Sequence, residues 1–243
     1  MLAGCTLRSE TFRYKLTLSL NTPDGVKTGS VVNEVTESEV YGFPQGKGYP
    51  YHQRGQALFV DLGKGRKPLI ALLREPCRPG EASYCSSRSH QQMDFGYYAG
   101  DGPFGIFLSH DNETHSDPER QFDAIVRWRN QHAHVDLGLE ELPELITFED
   151  VNDPLSVRSV DPSRLEDAFG PGVSWNSRTV DVVDVSTPVV FDLETKLPWY
   201  RAMRALGHDV GLDGNPNGQR DPATGKWTIT NTIRMTDFEH GRN

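Results

Sequence analysis

The side chains best suited to chemistry lie in three short segments. His132-Ala133-His134-Val135-Asp136 alternates ligand-type residues with small or apolar ones. On an extended backbone alternate residues point the same way, so two imidazoles and a carboxylate would converge on one divalent ion. Ser109 to Asp117 packs His110 and His115 with Asp111, Glu113 and Asp117. That run reads either as an ion-binding loop or as a polar loop capping the helix that follows it. Asp213-Gly214-Asn215-Pro216-Asn217-Gly218 opens like a calcium loop, with oxygen ligands at alternate positions and a glycine for the sharp turn. Its twelfth position is Thr224 where a bidentate glutamate belongs, so an Asn/Gly turn is the alternative. No G-x-S-x-G elbow or Walker loop occurs, and no catalytic residue is assigned.

His132-x-His134-x-Asp136 resembles the first part of the His-x-His-x-Asp-His motif of metallo-β-lactamase-fold hydrolases, with Leu137 at the place of the last histidine. That resemblance implies a metal-dependent hydrolase, using these three residues or the His110–His115 loop. Leu2-Ala3-Gly4-Cys5 has a different implication. It resembles a bacterial lipobox, in which small residues fit the signal peptidase and the cysteine thiol takes a diacylglyceryl group. A signal peptide also needs a basic region and an apolar stretch of about 7–15 residues before the box. The lipobox reading therefore expects the natural start to lie upstream of Met1, and otherwise the protein is cytoplasmic. Cys77 and Cys85 flank a Pro/Gly loop and are expected to form a disulfide, which would need an oxidising compartment. Two free buried thiols are the alternative.

These residues need a scaffold to hold them. Phe12, Tyr14, Leu16, Leu18 and Leu20 alternate with polar residues, the period of a half-buried strand. Thr22-Pro23-Asp24-Gly25 turns the chain, and Val26 to Val35 returns as a second strand. Residues 41–54 read as an aromatic, Gly/Pro-rich loop whose Tyr41, Phe43, Tyr49 and Tyr51 either fill the core or contact a peptide or glycan. A second hairpin spans 56–73 and residues 76–105 are irregular. A helix runs from Pro118 to about Asn130 with Phe122, Ile125, Val126 and Arg129 on one face, opened by Asp117 as N-cap and Pro118. Further elements are a buried strand at 144–148, a short helix at 161–169 closed by Gly170-Pro171-Gly172, a long strand at 173–185, a helix starting at Pro198-Trp199-Tyr200 and a last strand at 226–237. The expected fold is α+β: a strand-rich antiparallel sheet built from hairpins with two or three short helices. Residues 1–11 would be lipobox remnant and tether, and 12–243 one domain with a possible subdivision near 138–142.

Two segments resemble an uncharacterised family of proteobacterial lipoproteins. One is Phe12 to Thr17 with Thr22 to Val26; the other runs from Leu142-Pro143 through Asn152-Asp153-Pro154 and Phe169-Gly170-Pro171-Gly172 to Leu197-Pro198-Trp199. The resemblance supports the lipobox and implies no activity or cofactor.

Composition narrows the reading. The chain has 243 residues, 36% hydrophobic and 24% charged, in the range of a folded protein rather than a disordered one. Its net charge of -9 disfavours non-specific nucleic-acid binding, which depends on Lys and Arg displacing counterions. The leading expectation is a lipid-anchored protein of the bacterial cell envelope, attached through Cys5 to a periplasm-facing membrane surface. It would hold an envelope protein or polymer, without cofactor or metal. The metal-dependent hydrolase is the alternative.

Overall fold

The computed structural model describes residues 5–42, 46–63, 65–74, 103–111, 118–207, 210–212, 219–220, 227–228 and 233–242. Its centre is a long hairpin of β1 (Cys5–Thr22) and β2 (Gly25–Gly42). The alternation read at Phe12 to Leu20 is carried through, with all five residues at most 2% exposed. The turn closes with the Thr22 hydroxyl donating to the Gly25 carbonyl at 2.7 Å. Gly25 has φ +97, the left-handed backbone that glycine adopts without steric cost.

The hairpin is longer than its apolar pattern. Residues 5–11 form the first third of β1, paired to β2 from Cys5 opposite Tyr41 to Thr11 opposite Thr36. The expected tether is therefore strand. Leu7 is an extra residue between the Thr6 and Arg8 pairs, as in a β-bulge. Residues 41–54 are not a loop either, because the described part of this segment contains β3 (Gly46–Gly48) and β4 (Tyr51–Gln56), both on β2. Phe43 lies outside the described residues.

The main sheet runs β13–β4–β2–β1–β10–β7, with β3 added to β2, and every pair in it is antiparallel. Here β10 is Ser174–Val183, β7 is His134–Asp136 and β13 is Glu239–His240. A second antiparallel sheet orders β5 (Leu58–Val60), β6 (Leu69–Ala71), β8 (Leu145–Phe148) and β9 (Val157–Ser159). β6 and β8 are buried at every residue because a core lies against each face. Leu69, Ala71 and Leu145 join Phe12, Leu16 and Leu18 of the hairpin, whereas Ile70, Ile146 and Phe148 join Leu193, Trp199, Tyr200 and Phe238. Such two-sided burial makes a strand an unbroken apolar run. Gly29 lets β2 approach β5, since a Cβ there would sit 2.6 Å from the Phe59 carbonyl.

Among the described residues there are five α-helices, more than the two or three expected. They are α1 (Pro103–His110), α2 (Pro118–Gln131), α3 (Leu165–Phe169), α4 (Leu193–Lys196) and α5 (Tyr200–Leu206). α1 begins inside the segment expected to be irregular, and α4 is a single turn. The buried face of α2 is Phe122, Ala124, Ile125 and Trp128; Val126 and Arg129 sit half-buried at its margin. The described part of 226–237 is no long strand: β12 (Trp227–Thr228) pairs with β11 (Gln219–Arg220), and a 3-10 turn spans Met235–Asp237. Near 139–141 a 3-10 turn links Leu137 and Leu142, which enter the same core. No described helix is long and apolar enough to cross a membrane.

Candidate functional site

The histidine–aspartate segment does not assemble as its spacing suggests. His132 has φ +48 and ends α2, with its N–H donating to Arg129 O at 3.3 Å and the Ala133 N–H donating to Trp128 O at 3.0 Å. These two bonds make a Schellman-type helix end, whose left-handed residue is more often glycine or asparagine. The strand period needed to align His132 with His134 therefore starts only at His134 itself. His134 instead meets Asp181 across the β7–β10 pair, with Nδ1 2.7 Å from Oδ1. Asp136 is 86% exposed, 3.7 Å from Nε2. His110 closes α1 and contacts Glu141 at 3.0 Å; Asp111 accepts from Arg127 and Trp128. His115 lies outside the described residues, as do Cys77, Cys85 and Asp213–Gly218. Among the described residues no group of three His, Cys, Asp or Glu is placed to hold a metal.

The Asp181 hydrogen bond, with Asp136 nearby, raises the His134 pKa. A histidine whose folded pKa is raised stabilises the native state below its ordinary value, and the contribution fades as pH climbs past the folded value. Denaturation of native protein and His134→Ala should thus differ at pH 6 and converge by pH 9. A gap that persists at pH 9 would assign the histidine a packing role instead.

A different cluster emerges on the inner face of the hairpin. Strand register sets Arg8 opposite Glu39, Glu10 opposite Glu37, Phe12 opposite Val35 and Tyr14 opposite Asn33. On β4, Gln53 lies opposite Val35 and Tyr51 opposite Glu37. Paired residues share a face, so the surface that is apolar from Phe12 to Leu20 becomes polar toward Arg8. The Tyr14 hydroxyl accepts from Asn33 Nδ2 at 3.3 Å and Gln53 Nε2 at 3.4 Å. Asn33 Oδ1 accepts the Gln56 N–H at 2.9 Å. Glu39 is ion-paired with Lys47, Glu10 with Arg129 at 2.8 Å, and Arg8 with Asp123 of α2 at 2.8 Å. The Arg8 guanidinium also stacks 4.9 Å above the Phe122 ring.

Glu37 is the exception. It is 1% exposed, and among the described residues neither carboxyl oxygen has a hydrogen-bond partner. Burial pushes its pKa up to about 7 against the opposing pull of Arg8. A carboxylic acid with that value gains and loses a proton near neutral pH, the property required of a general acid or base. Nothing in the spacing of catalytic residue types marks Glu37. The available signal was the inward register of β2, Val31, Asn33, Val35, Glu37, Glu39, in which acids continue an apolar series.

Two other charged groups occupy the second core. Arg74 holds Glu144 and Asp237. Glu239 accepts from the Tyr200 hydroxyl at 3.1 Å and pairs with Arg204 and Arg242. Each carboxylate there has a cation beside it, which gives both groups a structural role.

No protein-family model, curated protein or solved structure matches the chain.

Proposed function

We propose that the protein is a lipid-anchored component of a bacterial cell envelope, held at a periplasm-facing membrane surface through Cys5, where it binds a partner protein or envelope polymer. The observation that carries this reading is the place of the lipobox cysteine in the fold. Cys5 is the first residue of β1 and lies opposite Tyr41 at the free end of the long hairpin. Two of the exposed apolar side chains, Leu7 at 55% and Tyr41 at 51%, are at this end. An acyl chain contributes about 0.8 kcal/mol per buried CH₂, and stable attachment takes more than one membrane signal. Leu7 and Tyr41 would add contact where the lipid enters, and tyrosine is favoured at the membrane–water boundary. With Cys5 itself paired to Tyr41, the anchor would leave little slack between bilayer and sheet.

Expression with the native upstream region, followed by fractionation, tests the proposal. Native protein should sediment with membranes and stay there through a high-salt wash, and Cys5→Ser should move to the soluble fraction. Equal partitioning of the two would reject lipid attachment at Cys5.

A further inference from the structure

We infer that the outer end of the long hairpin, residues 5–10 of β1 with 37–42 of β2, is closed by a proton on Glu37: the end is shut while the carboxyl is neutral, and it parts and admits water when the carboxyl ionises. This end carries Cys5, Leu7 and Tyr41, but the effect of the proton does not depend on a lipid at Cys5.

The apolar core of the hairpin stops at Phe12 and Val35, which are paired and at most 1% exposed. Beyond them the inward pairs are Glu10 with Glu37 and Arg8 with Glu39. Leu7 is then bulged out, and among the described residues no member of either apolar core lies in 5–10 or 37–42. Strand pairing holds this end together with the stacking of Arg8 on Phe122 and the ion pairs Arg8–Asp123, Glu10–Arg129 and Glu39–Lys47. Each ion pair has a partner at least 31% exposed, and pairs so open to water contribute little. Segments with few buried apolar contacts are the first to open.

Glu37 lies just inside this polar end. It is 1% exposed, and among the described residues nothing bonds either carboxyl oxygen. Glu10 faces it from β1 and is engaged by Arg129 of α2; Glu39 shares its strand and is engaged by Lys47. Tyr51 faces it from β4. Arg8 pulls toward ionisation but is engaged by Asp123 of α2, and Glu119 of the same helix acts on Lys47. An ionised carboxylate is strongly disfavoured in such a place, whereas a neutral one is tolerated. Ionisation therefore needs water at the carboxyl. The polar end is the easiest entry, because parting it leaves the Phe12–Val35 pair and the core behind it intact.

The sign follows from where the proton is lost. In the opened end Glu37 releases it at the ordinary value of 4.5, and in the closed end it keeps it to about 7. The stability that the proton gives the closed end is complete below pH 4.5, declines as pH rises, and is gone above about 7. The equilibrium constant for closing should fall about 70-fold from pH 5 to pH 8, most of it below pH 7. An ion-paired acid gives the opposite slope, since low pH removes its charge.

Amide hydrogen exchange of residues 6–10 and 37–42 from pH 5 to pH 8, corrected for the intrinsic exchange rate at each pH, tests this in native protein and Glu37→Gln. Residues 14–20 of the same strand report unfolding of the whole domain. Native protein should show weaker protection at the end than at 14–20, with end protection falling about 70-fold across the range and levelling off above pH 7. Glu37→Gln, which cannot ionise, should show end protection that is independent of pH. Equal protection of the end and of 14–20 at pH 8 would overturn local opening. End protection that stays constant with pH in native protein, or falls equally in Glu37→Gln, would overturn control by the Glu37 proton. Should Glu37→Gln fail to fold, native protein decides alone: the predicted fall supports the inference, and a flat or rising profile rejects it.

Discussion

Replacing Arg74 with methionine should lower the free energy of unfolding by about 3–5 kcal/mol at pH 7, the usual cost of removing one partner of a buried ion pair. Arg74 is 9% exposed. Its Nε donates to Glu144 Oε2 at 2.5 Å and its Nη1 to Asp237 Oδ2 at 3.0 Å. Asp237 also accepts the Arg234 N–H at 2.7 Å, closing the 3-10 turn that leads to Phe238 and β13. Loss of the guanidinium strands two carboxylates between the second sheet and the C-terminal turn. Burial already drives the Asp237 pKa up against the pull of Arg74, and without that cation it climbs further. A raised acid costs stability as pH rises, so the gap between native protein and Arg74→Met should narrow from pH 7 to pH 5. In a domain of this size the loss corresponds to a fall in Tm of about 10 °C at neutral pH. A cost below about 1 kcal/mol by denaturant titration at pH 7 would mean that water reaches these carboxylates.

Trp128→Ala should cost a similar amount, about 3–5 kcal/mol, by removing a fully buried indole from the core. Trp128 is 1% exposed. Its ring lies 6.0 Å from Phe12 edge-to-face and 5.3 Å from Phe107, and these two phenylalanines meet edge-to-face at 6.3 Å. One indole thus binds α2 to both β1 and α1. Its Nε1 donates to Asp111 just beyond α1. Trp128→Phe keeps an aromatic ring and loses that hydrogen bond, so it should cost about 1–2 kcal/mol. The two variants separate packing from hydrogen bonding, and near-equal losses would show that the indole N–H dominates.

How far the sequence disclosed the fold depended on what each strand faces. Phe12 to Leu20 stood out because their own side chains are apolar at every second position, and 144–148 stood out because it is a largely apolar run between two cores. Residues 5–11, 36–42 and 51–54 belong to the same sheet. Their inner side chains include Arg8, Glu10, Glu37, Glu39 and Gln53, so polar residues on both faces cancel the alternation. The buried polar strip therefore made its own strands look like a tether and a loop. α4 is too short to show a helical period, and α1 contains Gly105, a weak helix former. The His132–Asp136 spacing misled for a local reason, since His132 adopts a helix-ending conformation in place of an extended one. The chemistry of Glu37 comes from its surroundings, assembled from β1, β2, β4 and α2, and no spacing within one segment records it.

Mass spectrometry of intact protein and its N-terminal peptide, from cells expressing the gene with its native upstream region, tests the envelope assignment most directly. A mature chain beginning at Cys5 and carrying acyl mass is the predicted result. An unmodified Met1 on a chain with a free Cys5 thiol would contradict the assignment.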